Sequence, residues 1–164
     1  MFWLTSSFPA DITSWMTRLL SLAKALLDRA LAVPERRRRR AFEVGLDVVE
    51  VEAVEAALRS RSSVRYLELV YSRQERADST DDAGRIEASR LAARFAAKEA
   101  VMKALGAQDL PWRSIEVLRA ADGRPSVRLT GRAAAWAAHE GLRRFSISLT
   151  HEPTFAAAVA VVTA

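Results

Sequence analysis

The 164-residue sequence contains no cysteine, and histidine occurs only at His139 and His151. The first absence excludes disulfides, zinc–thiolate sites and thiol catalysis, and the second nearly excludes a multi-histidine metal centre. No apolar run approaches the ~18 residues needed to span a bilayer. A Gly-rich Walker loop is also missing, which argues against the usual kind of Mg²⁺-dependent nucleotide-phosphate enzyme. No repeat is present, and the one low-complexity block is the arginine run Arg36 to Arg40.

What is there suits one domain of ordinary size, able to bury its own core, with room for an appendage. The net charge of +5 invites a nucleic-acid reading, but its location argues otherwise. Residues 1–40 hold eight of the 25 basic residues against Asp11, Asp28 and Glu35, leaving 17 basic and 17 acidic residues to the remainder. The body therefore has no overall field favouring polyanions, and no nucleic-acid partner is expected.

The front end reads as one amphipathic helix, Asp11 to Ala32, in which Ile12, Trp15, Met16, Leu19, Ala23, Leu26, Leu27 and Ala30 recur at three and four. Pro34 ends it, and Glu35 with the five arginines reads as an exposed linker. Arg18, Lys24, Asp28 and Arg29 interrupt the apolar stretch, which argues against a secretory signal, and Asp11 and Asp28 count against an organellar presequence. Such a helix suits docking on apolar surface of this or another chain, or lying along a membrane surface.

From Ala41 the character changes. Ala41 to Gly45 reads as a short opening strand, and Leu46-Asp47-Val48-Val49 leads into a helix over Val51 to Ser60. A second helical segment spans Val64 to Val70, followed by a turn near Ser72 to Glu75. Asp78 to Gly84 is polar and loop-like, with Asp81 or Thr80 available to cap the next helix. That helix, Ala83 to Ala107, is rich in Ala and Leu, lacks proline, and closes on Gly106, suited to a left-handed cap. Strands Ile115 to Leu118 and Val127 to Leu129 flank Asp122-Gly123-Arg124-Pro125, a strong hairpin signal. An Ala-rich helix over Gly131 to Glu140 precedes two closing strands, Arg144 to Thr150 and Phe155 to Val162, turned by Glu152-Pro153-Thr154. His139 beside Glu140 at the helix end reads as a surface residue favoured by the C-terminal dipole. Helices and antiparallel hairpins in this order indicate an α+β domain over 41–164, with 1–40 as a separate module.

On the long helix, Leu91, Phe95, Met102 and Leu105 fall within roughly 40° of one line and mark a core-facing stripe. Lys98 lies inside that stripe, Glu99 on its border, and Lys103 one turn beyond. Lys98 has two readings. Its stem packs and its ammonium reaches water, or the seam opens into a cleft where a carboxylate and several cations face a divalent metal and an anionic ligand. Glu99 and Lys103 are equally a common i,i+4 salt bridge. Asp47 alone reads as a helix starter. Together with Glu99 it could supply two oxygen ligands to Mg²⁺, which typically takes one or two carboxylates plus substrate phosphates. Arg94, Lys98 and Lys103 would meet the phosphate charge.

Val44-Gly45-Leu46-Asp47, followed by Arg94-Phe95-Ala96-Ala97-Lys98-Glu99-Ala100 with Lys103 four residues beyond the glutamate, resembles the two signature motifs of the 4′-phosphopantetheinyl transferases. The single-lobed holo-acyl-carrier-protein synthase branch is the nearer match. Trp112 to Val117, Asp122 to Pro125 and Ser146 to Glu152 resemble that branch in the same order, so the similarity covers about 42–164. The resemblance implies a cytoplasmic enzyme that uses Mg²⁺ to move phosphopantetheine from coenzyme A to a serine of an apo acyl carrier protein, releasing adenosine 3′,5′-bisphosphate, in fatty acid or polyketide biosynthesis. It implies Asp47 and Glu99 as metal ligands, Glu99, Lys103 and Lys98 as catalytic residues, and Arg94, Lys103, Gly106, Arg124 and His151 as substrate-binding ones. Arg94 and His151 match positions near the coenzyme's 3′-phosphate, and Glu99, directly or through a water, is the candidate base. His151 can equally be a packed or hydrogen-bonded strand residue. A single lobe further implies a homotrimer with sites between copies, and the implied fold is one long helix packed on an antiparallel sheet.

Two features depart from that pattern. Residues 1–40 are extra, and the first turns of the helix after Asp47 carry Glu50, Glu52 and Glu55, with Arg59, Arg61 and Arg65 only later. The basic extension could then supply part of the attraction for an acidic carrier. The alternative to an enzyme is a non-catalytic binding or scaffolding protein of the same fold that uses its basic N-terminal segment, and an intact Asp47–Glu99 pair discriminates against it.

Overall fold

The computed structural model describes residues 42–107 and 109–164. The helix expected over Asp11 to Ala32 and the arginine linker lie outside the described residues. Strand β1 (Glu43–Glu50) leads into helices α1 (Val51–Arg59), α2 (Ser63–Val70) and α3 (Arg73–Ala77). The long helix α4 (Ala88–Leu105) follows, then a 3₁₀ turn (Trp112–Ser114) and the hairpin β2 (Ile115–Arg119) and β3 (Pro125–Leu129). Helix α5 (Gly131–His139) and strands β4 (Arg144–His151) and β5 (Phe155–Thr163) complete the order. The strands form an antiparallel sheet in the order β1-β5-β4 and a separate β2-β3 pair. This is the expected α+β architecture, with the long helix against an antiparallel sheet.

Strand periodicity explains how the sheet meets α4. In β1, Gly45, Asp47 and Val49 share one face and Val44, Leu46 and Val48 the other. Opposite Gly45 and Asp47 in the central strand stand Ala160 and Ala158, and beyond these Ile147 and Leu149 of β4. Ala156, Ala158 and Ala160 are buried, as are Ala96, Ala97, Ala100 and Ala104 of α4. Small side chains on both surfaces let helix and sheet approach closely. Gly45 takes this furthest: a Cβ there would lie 1.9 Å from the Ala100 carbonyl oxygen and 2.8 Å from the Ala104 nitrogen.

The buried surface of α4 is therefore wider than the stripe read from large residues, because the alanines bury a second face. Its N-terminal half packs with Val51, Val54, Val70, Tyr71 and Ala156, and its C-terminal half with the hairpin, α5 and β5. Gly106 closes the helix at φ 65°, as the sequence predicts.

Several boundaries differ from expectation. β1 continues through Asp47 to Glu50, so Asp47 is a mid-strand residue paired with Ala158 and not a helix starter. The turn expected near Ser72 is the start of α3, closed by a capping box in which Ser72 Oγ accepts from the Glu75 N–H and Glu75 Oε2 accepts from the Ser72 N–H. α4 begins at Ala88 after Glu87, without a side-chain cap. Asp81 is occupied in its own loop, accepting from the Ala83 and Arg85 N–H groups at 3.0 and 2.8 Å, and the Thr80 hydroxyl donates to the Arg76 carbonyl.

The close contact at Gly45 is directly testable. Gly45→Ala forces β1 off the helix and is expected to destabilise the fold by about 3 kcal/mol, the upper part of the usual overpacking range. Urea denaturation checks this, and an unchanged midpoint would mean that the strand and helix do not touch there.

Candidate functional site

Because Gly45 presses on α4 between Ala100 and Ala104, the next residue on the same strand face, Asp47, comes within reach of Lys103. There Lys103 Nζ donates to Asp47 Oδ1 at 2.7 Å and to the Leu46 carbonyl at 3.1 Å. Glu99 lies one turn before Lys103 on the same helix face and is partly buried. Burial pushes its carboxyl above the ordinary range, the nearby Asp47 pushes it further, and Lys103 pulls it back. The hydrogen bond to Asp47 in turn holds the Lys103 ammonium above its usual range. The two acids thus share one space with one lysine between them. Among the described residues no hydrogen bond reaches the Glu99 carboxylate. Two neighbouring carboxylates, one of them held by a lysine, suit a hard divalent cation that completes its shell with water and phosphate oxygens.

A second feature lies elsewhere on α4. A cleft of about 340 Å³ is lined by Arg90, Ala93 and Arg94 of the helix, Val117 to Arg119, Gly123 and Pro125 of the hairpin, Asp78, and Leu149 and His151 of β4. Leu149 and His151, two apart on a strand, share a face. Arg94 stands 3.8 Å from Asp78, with its side chain 11% exposed, and its Nε is buried without a hydrogen-bond partner. Burial lowers the Arg94 pKa, opposed by Asp78 and Glu75, but a guanidinium stays cationic at any ordinary pH. Arg94, with its spare buried donor, and His151 in the same cleft suit an anionic group.

The expected residues therefore form two groups, with Arg124, Gly106 and Lys98 outside both. Asp47, Glu99 and Lys103 come together, and Arg94 and His151 come together in the cleft. None of the first three lines that cleft. Arg124 does not join it: it sits at the hairpin tip, 85% exposed and 3.6 Å from Asp122, while its neighbours Gly123 and Pro125 form the wall. Gly106 is the cap just beyond Lys103, at the far end of α4 from Arg94.

Lys98 is neither a snorkelling lysine nor a cation turned toward Asp47. It is fully buried, with Nζ 2.9 Å from Glu75 Oε1 and donating to the carbonyls of Trp112 and Ile115. Glu75 was not singled out from the sequence. The Ser72-x-x-Glu75 capping box was a legible signal for it, but its pairing with a lysine 23 residues later was not. His139 is the exposed helix-end residue expected, 3.2 Å from Glu140.

A family model, the 4′-phosphopantetheinyl transferase superfamily, matches residues 43–160. The holo-[acyl-carrier-protein] synthase of Paramagnetospirillum magneticum is 38% identical over 125 residues, which cover 74% of this chain and 95% of that protein. That of Moorella thermoacetica is 40% identical over 123 residues, covering 74% and 93%. Among solved structures, the Helicobacter pylori holo-[acyl-carrier-protein] synthase in complex with coenzyme A superposes with a TM-score of 0.63 at 27% identity, over 73% of this chain and 99% of that one.

The shared space of the two acids predicts how Glu99 titrates. Lys103→Met removes the cation that favours its charged form and moves its titration further up, whereas Asp47→Asn removes a like charge and moves it down. Carboxyl ¹³C NMR against pH reads both shifts, and a Glu99 resonance indifferent to both changes would mean that the acids are not neighbours.

Proposed function

This chain belongs to the 4′-phosphopantetheinyl transferase superfamily, and we propose that the Asp47–Glu99–Lys103 group and the arginine cleft are the two halves of its active site. The activity is that of a holo-acyl-carrier-protein synthase, transfer of phosphopantetheine from coenzyme A to a serine of an apo acyl carrier protein. The observation that carries the site assignment is that Asp47, bonded to Lys103, stands within electrostatic reach of Glu99 one turn along the helix. The alternative, a binding protein that kept only the fold, has no use for a partly buried Glu99 set near Asp47.

In this reading Asp47 and Glu99 hold Mg²⁺, which when bound neutralises charge on the pyrophosphate and on the departing phosphate. Lys103 is 45% exposed and tethered only at its tip, so it can turn from Asp47 to the incoming phosphates as a positive charge where negative charge accumulates. Glu99, with its raised pKa, accepts the proton of the carrier serine. The serine oxygen then bonds to the β-phosphorus, the bond from that phosphorus to the bridging oxygen breaks, and adenosine 3′,5′-bisphosphate leaves. Arg94 and His151 receive the coenzyme's 3′-phosphate. Gly106 and Arg124 would border the substrate path.

The separation of the two halves on one chain supports completion of each site by another copy, in a homotrimer. The outer face of the main sheet supports the same assembly: Val44, Leu46 and Val48 are 53%, 57% and 59% exposed. Val159 and Val161, their partners across the ladder, extend the patch. The family match over 43–160 supports a transferase domain over 41–164. We place the enzyme in the cytoplasm, serving fatty acid or polyketide synthesis, with residues 1–40 as an appendage that draws acidic carriers or contacts a membrane. No described helix is long and apolar enough to cross one.

Two experiments test the reading. Incubated with coenzyme A, Mg²⁺ and an apo carrier, the protein adds a phosphopantetheine mass to the carrier, and Glu99→Gln lowers the rate at least 100-fold without unfolding the chain. No mass gain with several carriers would return the protein to the binding class. Light scattering gives three times the chain mass, and Val44→Glu breaks the assembly and its activity. Mixing inactive Glu99→Gln and Arg94→Ala chains restores part of the rate, whereas sites confined to one chain would stay inactive.

A further inference from the structure

The reaction described above makes no use of the buried ion pair that joins α4 to α3. Lys98 and Glu75 are each 0% exposed, with Nζ 2.9 Å from Oε1 and 3.0 Å from Oε2. Lys98 also donates to the carbonyls of Trp112, at 3.0 Å, and Ile115. An ammonium has three donors, and all three are spent on this chain. Glu75 accepts the N–H groups of Ser72 at 2.8 Å and Val117 at 2.9 Å. Burying two charges costs several kcal/mol per ion, and an apolar pair of the same volume is often as stable. Stability alone is therefore a poor reason for the pair.

The segments it joins supply a better one. Helix α3 runs from the Ser72–Glu75 box to its cap at Asp78, β2 runs from Ile115 through Val117 to Arg119, and α4 carries Arg94 one turn and Arg90 two turns before Lys98. Asp78, Val117, Leu118, Arg119, Arg90 and Arg94 are walls of the cleft. Val117 appears on both counts, with its backbone N–H held by Glu75 and its flank on the cavity. The pair is the only described ionic link among these three walls apart from the looser Arg94–Asp78 contact.

We propose that Lys98 and Glu75 are positioning residues that hold the hairpin and α3 at a fixed setting against α4, so that the coenzyme cleft is formed before its ligand arrives. Neither touches substrate. This rests on reading the cleft as the coenzyme site. A pre-shaped wall lowers the ordering cost of binding, so losing it weakens coenzyme binding with little effect on the chemical step.

The test measures coenzyme A binding by calorimetry and steady-state rates for the full-length chain carrying Glu75→Gln, Lys98→Met, both together, or Arg94→Ala. The double variant is uncharged and nearly isosteric, which guards against the single lysine variant failing to fold. The expected result is a rise of about tenfold in KM and Kd for coenzyme A with Glu75→Gln and with the double variant, which is no worse than either single because the residues act as one unit. With Glu75→Gln, kcat at saturating coenzyme stays within about threefold, and KM for the carrier is unchanged. A fall of 100-fold or more in kcat with Lys98→Met, while Glu75→Gln keeps its rate, would overturn the proposal in favour of a direct catalytic lysine. Unchanged coenzyme affinity in the pair variants, with Arg94→Ala weakened, would overturn it while leaving the cleft intact. Unchanged affinity in Arg94→Ala as well would overturn both.

Discussion

The distance between β1 and α4 is the constraint on which the rest depends. It is set by the missing side chain at Gly45, whose place would otherwise be contested by the Ala100 carbonyl. Alanines at 96, 97, 100 and 104 on the helix and at 156, 158 and 160 on the central strand keep the rest of that interface equally thin. With a thicker interface, Asp47 would stand too far from the helix to meet Lys103, and the two acids would belong to different surfaces. The proposed metal pair is thus a packing result before it is an electrostatic one. Its carboxylates are brought near each other by backbone contact and small residues, and burial first, with the charge of Asp47 second, holds the Glu99 carboxyl above its ordinary range.

The charges are divided in a way that one chain does not reconcile. The acids and Lys103 stand at the C-terminal half of α4, while Arg90 and Arg94 face the hairpin and His151 at its N-terminal half. A diphosphate-bearing ligand that met the arginines at one end would need a cation-bearing surface at the other. In the proposed assembly, a second copy seated on the exposed apolar face of the main sheet would complete the site.

Most of the fold was legible because its signals are local. The left-handed cap at Gly106, the Asp122 to Pro125 hairpin and the closing pair of strands follow from turn chemistry and periodicity, and the structure keeps them. What misled was context. Asp47 reads as a helix starter because Val51 begins a helix four residues later, yet β5 extends β1 past it. Asp81 looks like a cap for the long helix, but it satisfies its own loop first. In the site, helical spacing put Glu99 and Lys103 one turn apart, and motif resemblance joined Asp47 to them as the second metal ligand. The state of Lys98 could not be read locally. Its position on the core stripe was visible, but the carboxylate that lets it stay there comes from α3, folded back over 23 residues.

A helix seated by the absence of methyl groups cannot turn or slide on its sheet. A shift of one residue would bring Val101 toward the gap that Ala100 now shares with Gly45, and the gap has no room for it. α4 is therefore a fixed rail, and the adaptation needed to admit and release a bulky ligand falls to its long cationic side chains and to the hairpin's exposed end. Variation between relatives should follow the same division, with volume conserved along the rail and freedom kept at the tips.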